Sequence, residues 1–108
     1  MEQQYFGAGK QRYETRGINQ NLPVEYRVML WYFVEKMHEK VKLDYLQIFK
    51  FKVEKNVEGI LVQKVTHCQE QPEFSHTYEF PLSDVWIREN VYIIDDTEQC
   101  IMLWANEY

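Results

Sequence analysis

"LDYLQIFKFKVEKNVEGILVQKVTHC" runs from Leu43 to Cys68, and its reading decides the fold. The first half alternates. Tyr45, Phe49, Phe51 and Val53 share one side with Gln47, while Lys50, Lys52 and Glu54 share the other behind Leu46 and Ile48. A period of two marks an extended strand with one face buried and the other wet. Asn56–Gly59 ("NVEG") is turn chemistry, and Ile60–Cys68 returns as a second apolar strand, so the stretch predicts a β-hairpin. Strands that follow one another through short connections pair antiparallel, so this hairpin also sets the character of the sheet.

Upstream, "NQNLPVEYRVMLWYFVEKMHEKVK" (Asn19–Lys42) changes period. Tyr26, Leu30, Phe33, Val34, Met37 and Val41 recur in steps of three and four, the stripe of one helix face. Asn19 or Asn21 is the expected N-cap, with Pro23 in the first turn. Glu25 suits the positive end of the helix dipole, and Lys36, Lys40 and Lys42 suit the negative end. Val24, Val28 and Trp31 form a second, shorter stripe, a candidate homodimer face.

"RYETRGI" (Arg12–Ile18) reads as a short strand with Gly17 at its end or in a bulge. After the hairpin, "FSHTYEF" (Phe74–Phe80) alternates, with Phe74, His76, Tyr78 and Phe80 on one face and Pro81 as its stop. "LSDVWIREN" (Leu82–Asn90) predicts a turn or helix-like segment capped by Ser83 or Asp84, and "VYIID" and "CIMLWAN" predict two last strands. The expected architecture is α+β: a mostly antiparallel sheet of about five to six strands, in the order β-α-β-β-β-β-β, with one long amphipathic helix packed on one face. Residues 1–11 are expected to form a flexible N-terminal arm and 12–108 a single domain.

The chain has 108 residues, 45% of them apolar, which suffices for one core and excludes a disordered chain. The longest apolar run, Val28–Val34, has seven residues, far short of the roughly 20 that span a bilayer. The N-terminus carries no secretory pattern, so a cytoplasmic setting and reduced thiols at Cys68 and Cys100 are the expectation. Charge is uneven. Residues 1–64 hold eleven basic and eight acidic side chains, a net of +3, and residues 65–108 hold one and nine, a net of −8.

Candidate chemistry is sparse. Asp95, Asp96 and Glu98 sit between two apolar runs. Hard-cation sites need converging carboxylates, and neighbouring aspartates on a strand point apart, so "DDTEQ" reads as a hairpin tip. His67, Cys68, His76 and Cys100 lack the paired spacing of zinc sites, and alternation sends His67 and Cys68 to opposite faces. No phosphate-binding glycine loop occurs. No metal, cofactor or catalytic set is therefore expected, and a small enzyme with an unrecognised site is the weaker alternative. The acidic C-terminal half, Asp84, Glu89, Asp95, Asp96, Glu98 and Glu107, together with Trp86, Tyr92, Trp104 and Tyr108, reads as a protein-binding surface: charges steer and aromatics anchor. Lys36, Lys40, Lys42, Lys50, Lys52 and Lys55 form a basic middle that could hold RNA, or simply solvate a hairpin.

Four segments, "RYETRGIN" (12–19), "LPVEYRVMLWYF" (22–33), "LDYLQIF" (43–49) and "IIDD…MLWANEY" (93–108), together resemble the small bacterial and phage proteins grouped as domain of unknown function 960. The resemblance spans nearly the whole chain and leaves residues 56–89 unmatched. It implies a compact α+β protein of Gram-positive bacteria and their mobile elements with no assigned activity, some relatives being counted among anti-CRISPR proteins. The resulting expectation is a small acidic inhibitor that binds a CRISPR effector nuclease or its guide RNA, as a monomer or homodimer. A structural, self-associating module is the alternative.

Overall fold

The computed structural model describes residues 4–108. The deciding stretch forms β2 (Leu46–Lys55) and β3 (Leu61–Gln69), paired antiparallel. Asn56 closes the turn: its Oδ1 accepts from the amides of Glu58 (2.9 Å) and Ile60 (3.0 Å), and Gly59 takes φ +80°, a conformation open to glycine. Strand β4 (Phe74–Pro81) lies antiparallel beyond β3, and β5 (Val91–Asp95) lies antiparallel on the other side of β2. Strand β6 (Gln99–Trp104) returns beside β5. Asp96 closes that second hairpin, its Oδ1 accepting from the amides of Glu98 (3.1 Å) and Gln99 (2.9 Å), so "DDTEQ" is a hairpin tip.

The first strand departs from expectation. Strand β1 is Gln11–Glu14 and runs parallel to β6, giving a mixed six-stranded sheet ordered β1-β6-β5-β2-β3-β4. The extension expected to Ile18 is helix instead: Thr15 Oγ1 accepts from the Ile18 amide at 3.2 Å and starts α1 (Arg16–Asn21). A hydroxyl cap here outweighs the apparent alternation of the sequence. The long helix, α2 (Val24–His38), begins after Pro23, so neither Asn19 nor Asn21 is its cap; both lie in α1. The fold is thus α+β, with two α-helices among the described residues rather than one. Leu82–Asn90 forms no helix; the Ser83 hydroxyl accepts from the Val85 amide at 3.3 Å within an irregular loop.

Of the expected N-terminal arm, residues 1–3 lie outside the described residues. Further on, the Phe6 amide donates to Asp95 Oδ2 (2.6 Å) and Lys10 Nζ reaches both Asp95 oxygens at 2.9 and 2.7 Å.

Helix α2 covers one face of the sheet. Tyr26 meets Phe51 edge-on (5.7 Å between centroids) and Phe33 stacks on Tyr78 at 3.8 Å. Leu30, Val34 and Met37 share the core with Phe49, Val65, Val91, Ile93 and Met102. The same face buries four polar side chains, Gln47, Gln63, His67 and Gln69. The three glutamines are bonded inward to backbone. Gln63 Nε2 donates to the carbonyls of Lys52 (3.0 Å) and Ile87 (2.8 Å), and its Oε1 accepts from the Ile87 amide at 2.9 Å. Gln69 Nε2 donates to the carbonyls of Lys42 (3.0 Å) and Pro72 (2.8 Å). Such bonds offset the cost of taking amides out of water and tie irregular segments to the sheet. The opposite face, with Leu46, Ile48, Tyr92, Ile94 and Ile101 half-buried, carries no second layer among the described residues. Among those residues no helix is long and apolar enough to cross a membrane.

Candidate functional site: a two-tryptophan groove

Where β6 ends, Trp104 stands opposite Val91, and the Ala105 amide donates to the Asn90 carbonyl at 2.8 Å. A closing 3-10 turn, Ala105–Glu107, then folds back over the start of α1. Glu107 locks it there: Oε1 accepts from the Trp104 amide (2.8 Å) and the Thr15 hydroxyl (2.9 Å). Gly17 lies beneath it, where a Cβ would stand 2.9 Å from Glu107 Oε2 and would push the carboxylate aside. On the far side, Gln63 holds buried Ile87 by its amide and carbonyl, which leaves Trp86 and Arg88 on the outside. The Arg88 guanidinium lies 5.6 Å from the Trp86 ring, and Trp86 is 48% exposed.

Between these walls runs a groove of about 520 Å³, lined among others by Asn21, Trp86, Arg88, Glu89, Trp104 and Glu107. That volume suits a side chain or short segment of a partner. Its walls are two indoles with carboxylates and amides beside them, a surface that can stack on a flat or cationic group and hold it by charge. It presents no nucleophile beside a base. Among the described residues no group of three or more His, Cys, Asp or Glu side chains is placed to hold a metal ion.

Four of the sequence-selected binding residues, Trp86, Glu89, Trp104 and Glu107, therefore meet in one place. Asp84 is exposed on the loop that leads to Trp86. Tyr92 and Tyr108 pair edge-on at 5.7 Å on the sheet's open side. The other acids are elsewhere: Asp96 and Glu98 are exposed at the hairpin tip, the opposite end of β5. Asp95 is 2% exposed and so leaves the outer surface altogether. Burial opposes its ionisation, but the Lys10 ammonium and the amides of Phe6 and Thr97 outweigh that and hold its carboxyl below the usual range.

The lysines do not gather either. Lys36 and Lys40 flank a cleft on the helix side of the sheet, and Lys42 lies in the loop before β2. Lys50 and Lys52 alternate to the uncovered face, where Lys52 and Lys64 pair with Glu54 at 3.0 and 2.6 Å, and Lys55 ends β2. The Val24–Val28–Trp31 stripe is split. Val24 and Val28 are exposed, while Trp31 is buried beneath Arg12, with its indole donating to Glu14 at 3.3 Å. Cys68 and Cys100 are both free thiols, on opposite faces of the sheet.

His67 lies against Phe49 at 4.3 Å, with no exposed surface. Gln47 uses its amide nitrogen on the Asp44 carbonyl and Gln69 Oε1, so its oxygen accepts from His67 Nε2 at 2.7 Å. Nε2 carries the proton, and Nδ1 is buried with no partner among the described residues. Burial, with His76 alongside, pushes the imidazole down to about 3. It is a neutral core residue and no ligand.

The family model described as a staphylococcal protein of unknown function, DUF960, matches residues 11–107. The chain belongs to the DUF960 family. A crystal structure of a protein of unknown function from Enterococcus faecalis shares the DUF960 fold seen here, with a TM-score of 0.77 at 19% identity, covering 99% of this chain and 98% of that one. At that identity the likeness establishes the fold. Among curated proteins none matches this DUF960 chain. The match takes in residues 56–89, which hold Gln63, Trp86 and Glu89 and had shown no resemblance on reading the sequence.

Arg88, Asn21 and Asn106 also line the groove and were not foreseen. Arg88 had one signal, being the lone cation after Lys64. The two asparagines had none.

Proposed function

We propose that this protein acts by binding, and that the groove takes a basic side chain or short basic segment from a protein partner. The observation that carries this reading is the convergence of Trp86 and Trp104 with Glu89 and Glu107 on one open cleft. Aromatic anchors in a desolvated cleft supply most of an interface's energy, and nearby carboxylates select a cationic partner and speed its arrival. Asp84 extends the negative charge along the approach, with Arg88 the cation beside it. Proteins that handle nucleic acids carry such basic surfaces, so a CRISPR effector nuclease falls within the partners this groove would accept.

The test uses a short arginine- and lysine-containing peptide and its glutamate counterpart. The basic peptide should bind, change tryptophan fluorescence and weaken with added salt. Trp86→Ala and Glu89→Lys, both at exposed positions, should each weaken it several-fold without altering the fold. Equal affinity for the two peptides, or unchanged binding in Trp86→Ala, would refute the assignment.

A further inference from the structure

A second surface lies at the far edge of the sheet. Among the described residues strand β4 has one neighbour only, β3, so the outward N–H and C=O groups of an eight-residue strand have no described strand beside them. Proteins normally blunt such an edge with lysine, proline, a bulge or brevity, because it templates the addition of another strand. The β4 edge has almost none of these. Its register with β3 is unbroken from Val62↔Pro81 to Gln69↔Phe74, it contains no lysine, and its proline is the last residue. The other edge, β1, has four residues.

The surroundings of this edge have a charge. On its helix side, Lys36, Met37 and Lys40 of α2 and the region after it form a cleft of about 150 Å³ with Phe74, His76 and Tyr78. Lys36 reaches a carboxylate only at Glu39, at 3.5 Å and well exposed, and no ion pair involves Lys40 among the described residues. On the other side, Ser75, Thr77 and Glu79 alternate; Thr77 bonds Thr66 at 3.0 Å, and Glu79 stands opposite Lys64. A strand added here would send every second side chain under two lysines and the others beside hydroxyls.

We propose that β4 receives an extended peptide segment of a partner by strand addition, and that the segment carries carboxylates at alternate positions. Backbone bonds to β4 supply the affinity, and Lys36 and Lys40 set the pattern. A second copy of this chain fits less well, because edge-to-edge pairing about a two-fold axis would bring the two sets of Lys36 and Lys40 toward each other. This site is separate from the tryptophan groove and asks for the opposite charge.

The probe is a labelled peptide, Val-Glu-Thr-Glu-Val-Glu-Thr, against the version with lysine at each glutamate. Binding is followed by fluorescence anisotropy and by amide hydrogen exchange. The acidic peptide should bind saturably and protect amides of Phe74–Phe80. Lys36→Glu/Lys40→Glu should weaken it about ten-fold, as expected when two exposed attractions become repulsions, and shift preference to the lysine peptide. Absence of saturable binding overturns the proposal. So do unchanged affinity in the double variant and protection that falls on Trp86 and Trp104. Sedimentation as a dimer, with β4 amides already protected before peptide is added, overturns it in favour of self-pairing.

Discussion

Acid should unfold this protein through His67. The buried imidazole is neutral, and a second proton on Nδ1 would face no acceptor among the described residues. In the unfolded chain it titrates near 6.5, and in the fold near 3. Below pH 6.5, therefore, the unfolded state takes up a proton that the folded state refuses. Stability falls as pH drops through that window, levels off below about 3, and is flat with respect to His67 above neutrality. Each unit is worth about 1.4 kcal/mol, so His67 alone removes about 2 kcal/mol by pH 5. That is a large share of the 5–15 kcal/mol typical of a domain.

The assay is urea unfolding followed by tryptophan fluorescence from pH 7.5 to 4.5, for the wild type and His67→Leu. At neutral pH the variant should be less stable by about 1–3 kcal/mol, since Gln47 Oε1 loses its donor inside the core. As pH falls the two curves should converge, because leucine has no proton to refuse. Carboxylates distant from His67 are common to both proteins and cancel in the difference. Curves that stay parallel down to pH 4.5, or a His67 ring resonance that titrates near 6.5 in the folded protein, would refute the reasoning.

Other perturbations have defined outcomes. Gln63→Leu removes the side-chain partner of the buried Ile87 amide and carbonyl, and should cost about 2–4 kcal/mol and speed exchange at the Ile87 amide. Lys10→Met leaves the Asp95 carboxylate buried and unmatched; the loss should be about 2–3 kcal/mol, at the low side for a buried pair because Lys10 keeps 22% of its exposure. Adding Asp95→Asn should recover most of it. Since the Asp95 carboxyl is held low, the pair stabilises above the carboxylate range, and this contribution fades as pH falls through it; the Lys10→Met curve should lack that acid limb. Thr15→Val removes the cap of α1 and a donor to Glu107, and should lower stability by about 1 kcal/mol in thermal denaturation.

Period and turn chemistry gave most of the sheet away. The alternation of Leu46–Lys55, the Asn-to-Gly turn and the acidic hairpin tip are local signals with local causes, and each appears in the fold. What was illegible depended on contacts far apart in sequence. Alternation in Arg12–Glu14 cannot say that β1 will lie parallel to a strand about ninety residues later, nor that the Thr15 hydroxyl will turn the next residues into helix. Asp95 looked like its neighbours Asp96 and Glu98; it is drawn inward by Lys10, and nothing around residue 95 announces that. The groove was half legible. Tryptophans in an acidic segment mark a binding surface by composition, whereas Asn21 and Gly17 join it only because Glu107 folds back on α1.

The buried glutamines connect stability to binding. Trp86 sits on a loop without regular structure, and such a segment would ordinarily sample many conformations, charging their loss against affinity. Gln63 removes that freedom by gripping Ile87, one residue away, from inside the core. Glu107 does the same for Trp104 from the other wall, through the Trp104 amide and Thr15. Trp86 is thus held by a side chain outside its own segment, and Trp104 by the cap of its own turn tied across to Thr15, so both walls of the groove are fixed by the fold itself. Weakened binding in Gln63→Leu, measured where that variant is still fully folded, would therefore report the loss of this preorganisation and not a lost contact, because Gln63 is wholly buried and does not itself line the groove.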